Sequence, residues 1–121
     1  MKRRTLMSAA AAAILATSVG SAQAQGVIHF GAAAPQTGPL AGGATVTHWP
    51  AVRLWVNQTN AAGGLQVGDQ RMTIELVEYD DQTNPQQAIQ AAQRMATQDQ
   101  VDFMVAPYST GMNLAAAPIF A

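Results

Sequence analysis

The chain has 121 residues, of which 49% are hydrophobic, a formal net charge of −1 and no cysteine. The absence of cysteine excludes a disulfide framework and a thiolate metal site. Residues 25–121 contain no lysine and set three arginines against seven acidic residues, which gives a net charge of −4. This charge disfavours nucleic acids and anionic membrane surfaces as partners, because both are bound through clustered basic side chains.

The first 24 residues have the pattern of a cleavable signal peptide. Basic residues 2–4 are followed by an Ala-rich apolar stretch and then by small residues that suit a peptidase cleaving after Ala24. The apolar stretch is shorter than the roughly 20 strongly apolar residues of a transmembrane helix. We therefore expect residues 25–121 to be exported to the periplasm. The twin arginine in the basic start leaves both the Sec and the twin-arginine routes open.

The first predicted strand is Val27–Ala34, whose mostly apolar run without alternation is typical of a strand covered on both faces. A loop rich in glycine and proline follows, from Pro35 to Gly43. The next element is a helix whose secure part is Pro50–Asn60, because proline is tolerated in the first turn of a helix but not in its interior. Gly63 and Gly64 end this helix.

The second predicted strand is Met72–Tyr79, and its imperfect alternation of apolar and polar residues indicates a position nearer the edge of the sheet. A helix start follows it. Asn84 is the predicted N-cap, Pro85 takes the first helical position, and Gln87 stands three residues after the cap, as in a capping box. Apolar residues then recur at helical spacing as far as Ala96, which predicts one buried face.

The third predicted strand is Asp102–Ala106, and a new helix is expected to begin near Gly111 or Met112. The order strand, helix, strand, helix, strand predicts an α/β fold with a partial doubly wound parallel sheet and right-handed connections. Ligands of such sheets bind beyond the carboxyl ends of the strands, where neighbouring connections leave on opposite faces. With a strand order of 2-1-3, the loops after the first and third strands flank that crevice.

The candidate ligand-binding residues are Tyr108, Ser109, Thr110 and Gly111, which follow the third predicted strand. Free backbone N–H groups at the start of the next helix, beside the hydroxyls of Ser109 and Thr110, suit a carboxylate ligand. Either hydroxyl also suits a helix cap, and the two roles are compatible. Tyr108 is the aromatic candidate for a wall that faces the ligand.

Four titratable residues invite other chemistry. Asp80 and Asp81 are adjacent, but no further ligands stand near them in sequence, so we expect a solvated turn rather than a metal site. His29 lies in the first predicted strand and His48 near the start of the first helix. Neither has metal-ligand spacing, and both are expected to be structural. We therefore predict no bound metal.

The two tryptophans are six residues apart and do not share one face of a helix closely. Trp55 is expected in the core with Val52 and Val56, while Trp49 is expected to border the crevice. The sequence has no dinucleotide fingerprint, no phosphate loop and no nucleophile elbow. Without a paired nucleophile and base either, we predict neither a cofactor nor enzymatic activity.

Three segments together resemble a known family. They are IHFGAAAPQTGPLAG, NAAGGLQVGDQRMTIELVEYDDQTNPQQAIQAAQRM and VDFMVAPYSTG, which between them extend over most of residues 26–121. In this order and behind a signal peptide, they are similar to the amino-terminal lobe of the periplasmic leucine/isoleucine/valine-binding proteins. These are the type I solute-binding proteins of ABC importers.

The resemblance implies a two-lobed protein whose cleft closes, without catalysis, on an amino acid or a similar small carboxylate or amide. It also implies an ABC permease in the inner membrane as partner and a monomeric full-length protein. In the family, the loop after the third strand holds the ligand carboxylate through hydroxyls and N–H groups, a role that Ser109 and Thr110 inherit. A ligand-sensing receptor or regulator domain of the same fold is the alternative.

The sequence departs from the family in three respects. Gly42 and Gly43 stand where several relatives have an aromatic residue, and Pro50 falls where the first helix is usually uninterrupted. Chains of the family are several times longer as well. The resemblance therefore implies that residues 25–121 are an incomplete amino-terminal lobe and that the sequence is a truncated one.

Overall fold

The structure is a computed structural model that describes residues 24–121. The predicted signal peptide, apart from Ala24, lies outside the described residues. The elements in chain order are β1 (Gly26–Ala34), α1 (Ala41–Val46), α2 (His48–Ala61), β2 (Leu65–Val67), β3 (Gln70–Asp80), α3 (Pro85–Thr97), β4 (Phe103–Val105) and α4 (Thr110–Ala116), followed by a 3₁₀ turn (Ala117–Ile119).

The sheet has the order β2-β3-β1-β4. β1 pairs in parallel with β3 along its whole length and with β4 over three residues, so the predicted order of the three parallel strands is confirmed. The sequence analysis missed β2, which forms an antiparallel hairpin with the start of β3 and makes the sheet mixed. β2 pairs only with residues 70–72, so most of β3 is an edge of the described sheet, as its alternation predicts.

The segment between β1 and β2 forms two helices that are separated at Thr47. Pro50 is the third residue of α2 and therefore lies in its first turn, where proline is tolerated. After α2, Gly63 and Gly64 have φ angles of +95° and +98°, the left-handed conformation predicted for the helix stop. A Cβ atom at Gly64 would lie 2.5 Å from the carbonyl oxygen of Met72, so this turn requires glycine.

The start of α3 agrees with the prediction in detail. The Asn84 side chain accepts hydrogen bonds from the backbone N–H groups of Gln86 (2.8 Å) and Gln87 (3.4 Å). Pro85 is the first helical residue, where its missing N–H leaves no intrahelical hydrogen bond unmade. The buried face of α3 consists of Ala88, Ala91, Ala92 and Met95.

β1 is the centre of the core and is covered on both faces. Ala32 and Ala34 belong to one cluster with Ala44 of α1 and Trp49 of α2. Ala33 points to the opposite face, because successive side chains of a strand alternate, and packs with Ala91 and Met95 of α3. The small side chains of β1 allow the helices to approach the sheet closely from both sides.

The structure reverses the predicted roles of the two tryptophans. Trp49 is 1% exposed and lies in the core, whereas Trp55 is 37% exposed and contacts Phe30 edge-on, with ring centroids 5.1 Å apart. The reason is the helical period. Trp49 and Val56 are seven residues apart, which is two turns, and both are buried on the same face of α2. Trp55 precedes Val56 by one residue and therefore points away from that face.

Candidate functional site

Three loops follow the carboxyl ends of the parallel strands and therefore lie at one edge of the sheet. The first loop is residues 35–40, the second is residues 81–84, and the third is residues 106–109. The helices after β1 and β4 lie on opposite faces, because α1 and α2 cover one face while α4 packs against α3 on the other. The first and third loops thus flank the crevice expected at a topological switch point.

The third loop leads directly into α4, which begins at Thr110, one residue before the earlier of the two predicted starts. Ser109 is the N-cap, and its hydroxyl accepts a hydrogen bond from the N–H of Met112 at 3.4 Å. Thr110 and Gly111 are exposed residues of the first turn, where N–H groups have no intrahelical acceptor. The Asn113 amide fixes the loop from below by donating to the carbonyl of Pro107 at 2.7 Å.

Tyr108 connects the third loop to the helices after β1. Its ring is half-buried, packs against the Ala32, Ala34, Ala44 and Trp49 cluster, and lies edge-on to His48 with centroids 6.2 Å apart. A methyl group placed on Gly43 would overlap the Tyr108 hydroxyl, whereas one on Gly42 would meet no atom within 4 Å. The missing side chain at Gly43 therefore makes room for Tyr108.

The second loop is not the solvated turn that the sequence predicts. Asp81 is fully buried, and Asp80 is a hydrogen-bonding centre. The Asp80 carboxylate accepts hydrogen bonds from the N–H groups of Gln36 (2.8 Å), Thr37 (3.2 Å) and Gln82 (2.9 Å), and from the Thr37 hydroxyl (2.6 Å). Burial acts to raise the pKa of Asp80, but the hydrogen bonds from Thr37, Gln36 and Gln82 outweigh it and lower that pKa.

Asp81 and His48 each have a buried atom with no hydrogen-bond partner among residues 24–121, namely Asp81 Oδ2 and His48 Nε2. Burial raises the pKa of Asp81, although the hydrogen bond from the Thr83 N–H opposes this effect. Burial lowers the pKa of His48 against the pull of the Asp81 charge. Desolvation therefore favours the neutral form of both groups. The His48 ring packs against Trp49, with centroids 5.4 Å apart.

His29 lies far from the crevice, at the third position of β1 paired with Glu75 of β3. Its Nε2 atom is 3.5 Å from a Glu75 carboxylate oxygen, and its backbone N–H donates to Asp102 at 2.9 Å. Within residues 24–121, no three His, Asp or Glu side chains are grouped so that they could hold a metal ion. In the same part of the chain, no helix has both the length and the apolar character needed to cross a bilayer.

The sequence profile described as periplasmic binding protein matches residues 27–121. The chain belongs to the periplasmic binding protein family. This family consists of solute-binding proteins rather than enzymes, and membership implies a periplasmic location. The α/β architecture agrees with the opening part of a type I periplasmic binding protein.

Solved structures of other periplasmic binding proteins resemble the chain. The branched-chain amino-acid substrate-binding protein LivJ of Streptococcus pneumoniae, in complex with isoleucine, is 28% identical, with a TM-score of 0.70 over 77% of this chain and 25% of LivJ. A solute-binding protein from Rhodopseudomonas palustris, in complex with 3,4-dihydroxybenzoic acid, is 26% identical, with a TM-score of 0.64 over 77% of this chain and 24% of its own.

A third similar structure is a type 1 periplasmic binding protein from Bordetella pertussis. It is 28% identical, with a TM-score of 0.63 over 78% of this chain and 24% of its own. The chain thus spans about a quarter of the length of each of these proteins.

Proposed function

We propose that residues 25–121 are part of the amino-terminal lobe of a receptor that captures a branched-chain or related amino acid in the periplasm. The receptor delivers its ligand to an ABC permease in the inner membrane and performs no catalysis. Family membership and the similarity to an isoleucine-bound LivJ support this proposal. We also propose that residues 1–24 are the leader, cleaved after Ala24, and that the full-length protein is a monomer.

The proposed ligand site is the run from Tyr108 to Gly111, and the proposed ligand chemistry is a carboxylate. The observation that carries this assignment is the position of the run at the switch point, where the exposed first turn of α4 follows the cap at Ser109. Backbone N–H groups in such a turn, assisted by a hydroxyl, hydrogen-bond carboxylate oxygens. The bound molecules of two similar proteins, isoleucine and 3,4-dihydroxybenzoic acid, both carry a carboxylate.

The site assignment is tested by replacing both hydroxyls, Ser109→Ala with Thr110→Ala, in the full-length gene product. We expect the free energy of L-isoleucine binding to weaken by about 1 to 3 kcal/mol, because a carboxylate loses charge-assisted hydrogen bonds. Isothermal titration calorimetry measures this change. Thr97→Ala is the matched control, since Thr97 is exposed at the far end of α3. Unchanged affinity in the double variant would place the carboxylate site elsewhere.

A further inference from the structure

We propose that Asp80, together with Thr83, is a positioning residue that holds the first loop in the conformation the ligand site requires. The inference rests on the proposed function, because it concerns the wall of the proposed amino-acid site. Neither residue belongs to the run from Tyr108 to Gly111. Both lie on the second loop or at its start, and their side chains reach across to the first loop.

The contacts between the two loops are numerous and one-directional. Oδ1 of Asp80 accepts from the N–H groups of Gln36 and Thr37, and Oδ2 accepts from the Thr37 hydroxyl at 2.6 Å. The hydroxyl of Thr83 accepts from the N–H of Leu40 at 3.1 Å. Three backbone N–H groups of the first loop are thus satisfied by side chains of the neighbouring segment. Asp80 bears a charge, and hydrogen bonds to a charged acceptor are the stronger kind.

The second loop adopts a strained backbone in order to make these contacts. Gln82 and Thr83 have φ angles of +54° and +60°, in the left-handed region that residues with a Cβ disfavour. The Asp80 and Asp81 carboxylates fix this conformation by accepting the N–H groups of Gln82 and Thr83. Strain that the surrounding contacts maintain is typical of ligand clamps.

The first loop is shaped to fit against that strained backbone. Gly38 has a φ angle of +87°, and a Cβ atom there would overlap the carbonyl oxygen of Gln82. The two loops therefore interlock at a point where only glycine fits. Because the approach is this close, the first loop cannot shift while the second keeps its shape.

The path from Asp80 to the proposed site is short. The first loop ends at Leu40, the N-cap of α1, and α1 carries Gly43 against the Tyr108 hydroxyl. A displacement of the first loop moves α1 and with it the surface on which Tyr108 rests. Asp80 thus acts on the ligand through the first loop and Tyr108 and does not itself contact the ligand.

The experiment compares four variants of the full-length gene product, Asp80→Ala, Thr37→Val, Thr37→Ser and Asn60→Ala, with L-isoleucine as the probe. Calorimetry gives the affinity and thermal unfolding gives Tm. We expect Asp80→Ala and Thr37→Val to weaken binding at least about tenfold. Thr37→Ser keeps the hydroxyl and should retain wild-type affinity. Thr37→Val is nearly isosteric, so it tests the hydrogen bond even where Asp80→Ala fails to fold.

Asn60→Ala is the control for a purely structural effect. The Asn60 amide joins α2 to β3 through two 2.8 Å hydrogen bonds with the backbone of Ile74, far from the three loops. Its removal should lower Tm and leave affinity unchanged. Wild-type affinity in Thr37→Val and Asp80→Ala, or a loss that merely follows Tm as in Asn60→Ala, overturns the positioning role. A wild-type protein that binds no amino acid overturns the proposed function instead.

Discussion

At the scale of single residues, the candidate site depends on a contact between a glycine and a tyrosine. The Tyr108 hydroxyl occupies the space that a side chain at Gly43 would fill. The sequence marks Gly42 and Gly43 only as a departure from the related family, since nothing in the spacing of residues reveals which side chain lies opposite. Burial of Asp81 was unpredictable for the same reason, because a pair of aspartates in a turn is usually solvated.

These two glycines provide a matched pair of variants. Gly43→Ala should displace Tyr108 and weaken L-isoleucine binding severalfold, measured by calorimetry on the full-length gene product. The protein should lose no stability, because alanine favours the helical conformation of α1 by about 0.5 to 1 kcal/mol and the tyrosine tip can move. Gly42→Ala should add the same stability and leave affinity unchanged. Equal affinities for the two variants would contradict the role of Tyr108.

At the scale of elements, local sequence signals determined what could be predicted. β1, β3 and α3 carry long apolar patterns or a cap with a clear mechanism, and the structure confirms them. α1 and β2 were missed. α1 has the sequence AGGATV, in which two glycines oppose helix formation and no apolar period is visible. β2 has only three residues and depends on pairing with β3, which is a tertiary contact.

The N-cap of α3 gives a prediction at this scale. Asn84→Ala removes the acceptor for two N–H groups and should lower the free energy of unfolding by about 1 kcal/mol. Chemical denaturation of the full-length gene product measures the change. Gln93→Ala, at an exposed position of the same helix, should change it by less than about 0.5 kcal/mol. A similar loss in both variants would show that the cap contributes nothing specific.

At the scale of the whole molecule, the outer edge of β4 is its most open feature. No strand among residues 24–121 pairs with that edge, and a groove of about 430 Å³ beside it is lined by residues that include Met104, Pro107 and Phe120. Phe103 is 57% exposed there. An unpaired apolar edge accepts a further strand readily. The chain spans about a quarter of the length of its relatives, so a complete ligand cleft needs more than the described residues.

The central claim is that the protein captures a branched-chain amino acid, and the most direct test is calorimetric titration of the full-length gene product, purified from the periplasm, with L-isoleucine. The account predicts saturable binding of one ligand per protein, displaced by L-leucine or L-valine, with the amino acid recovered chemically unchanged. Chemical conversion of the bound amino acid, or no detectable binding of isoleucine, leucine or valine, would contradict it.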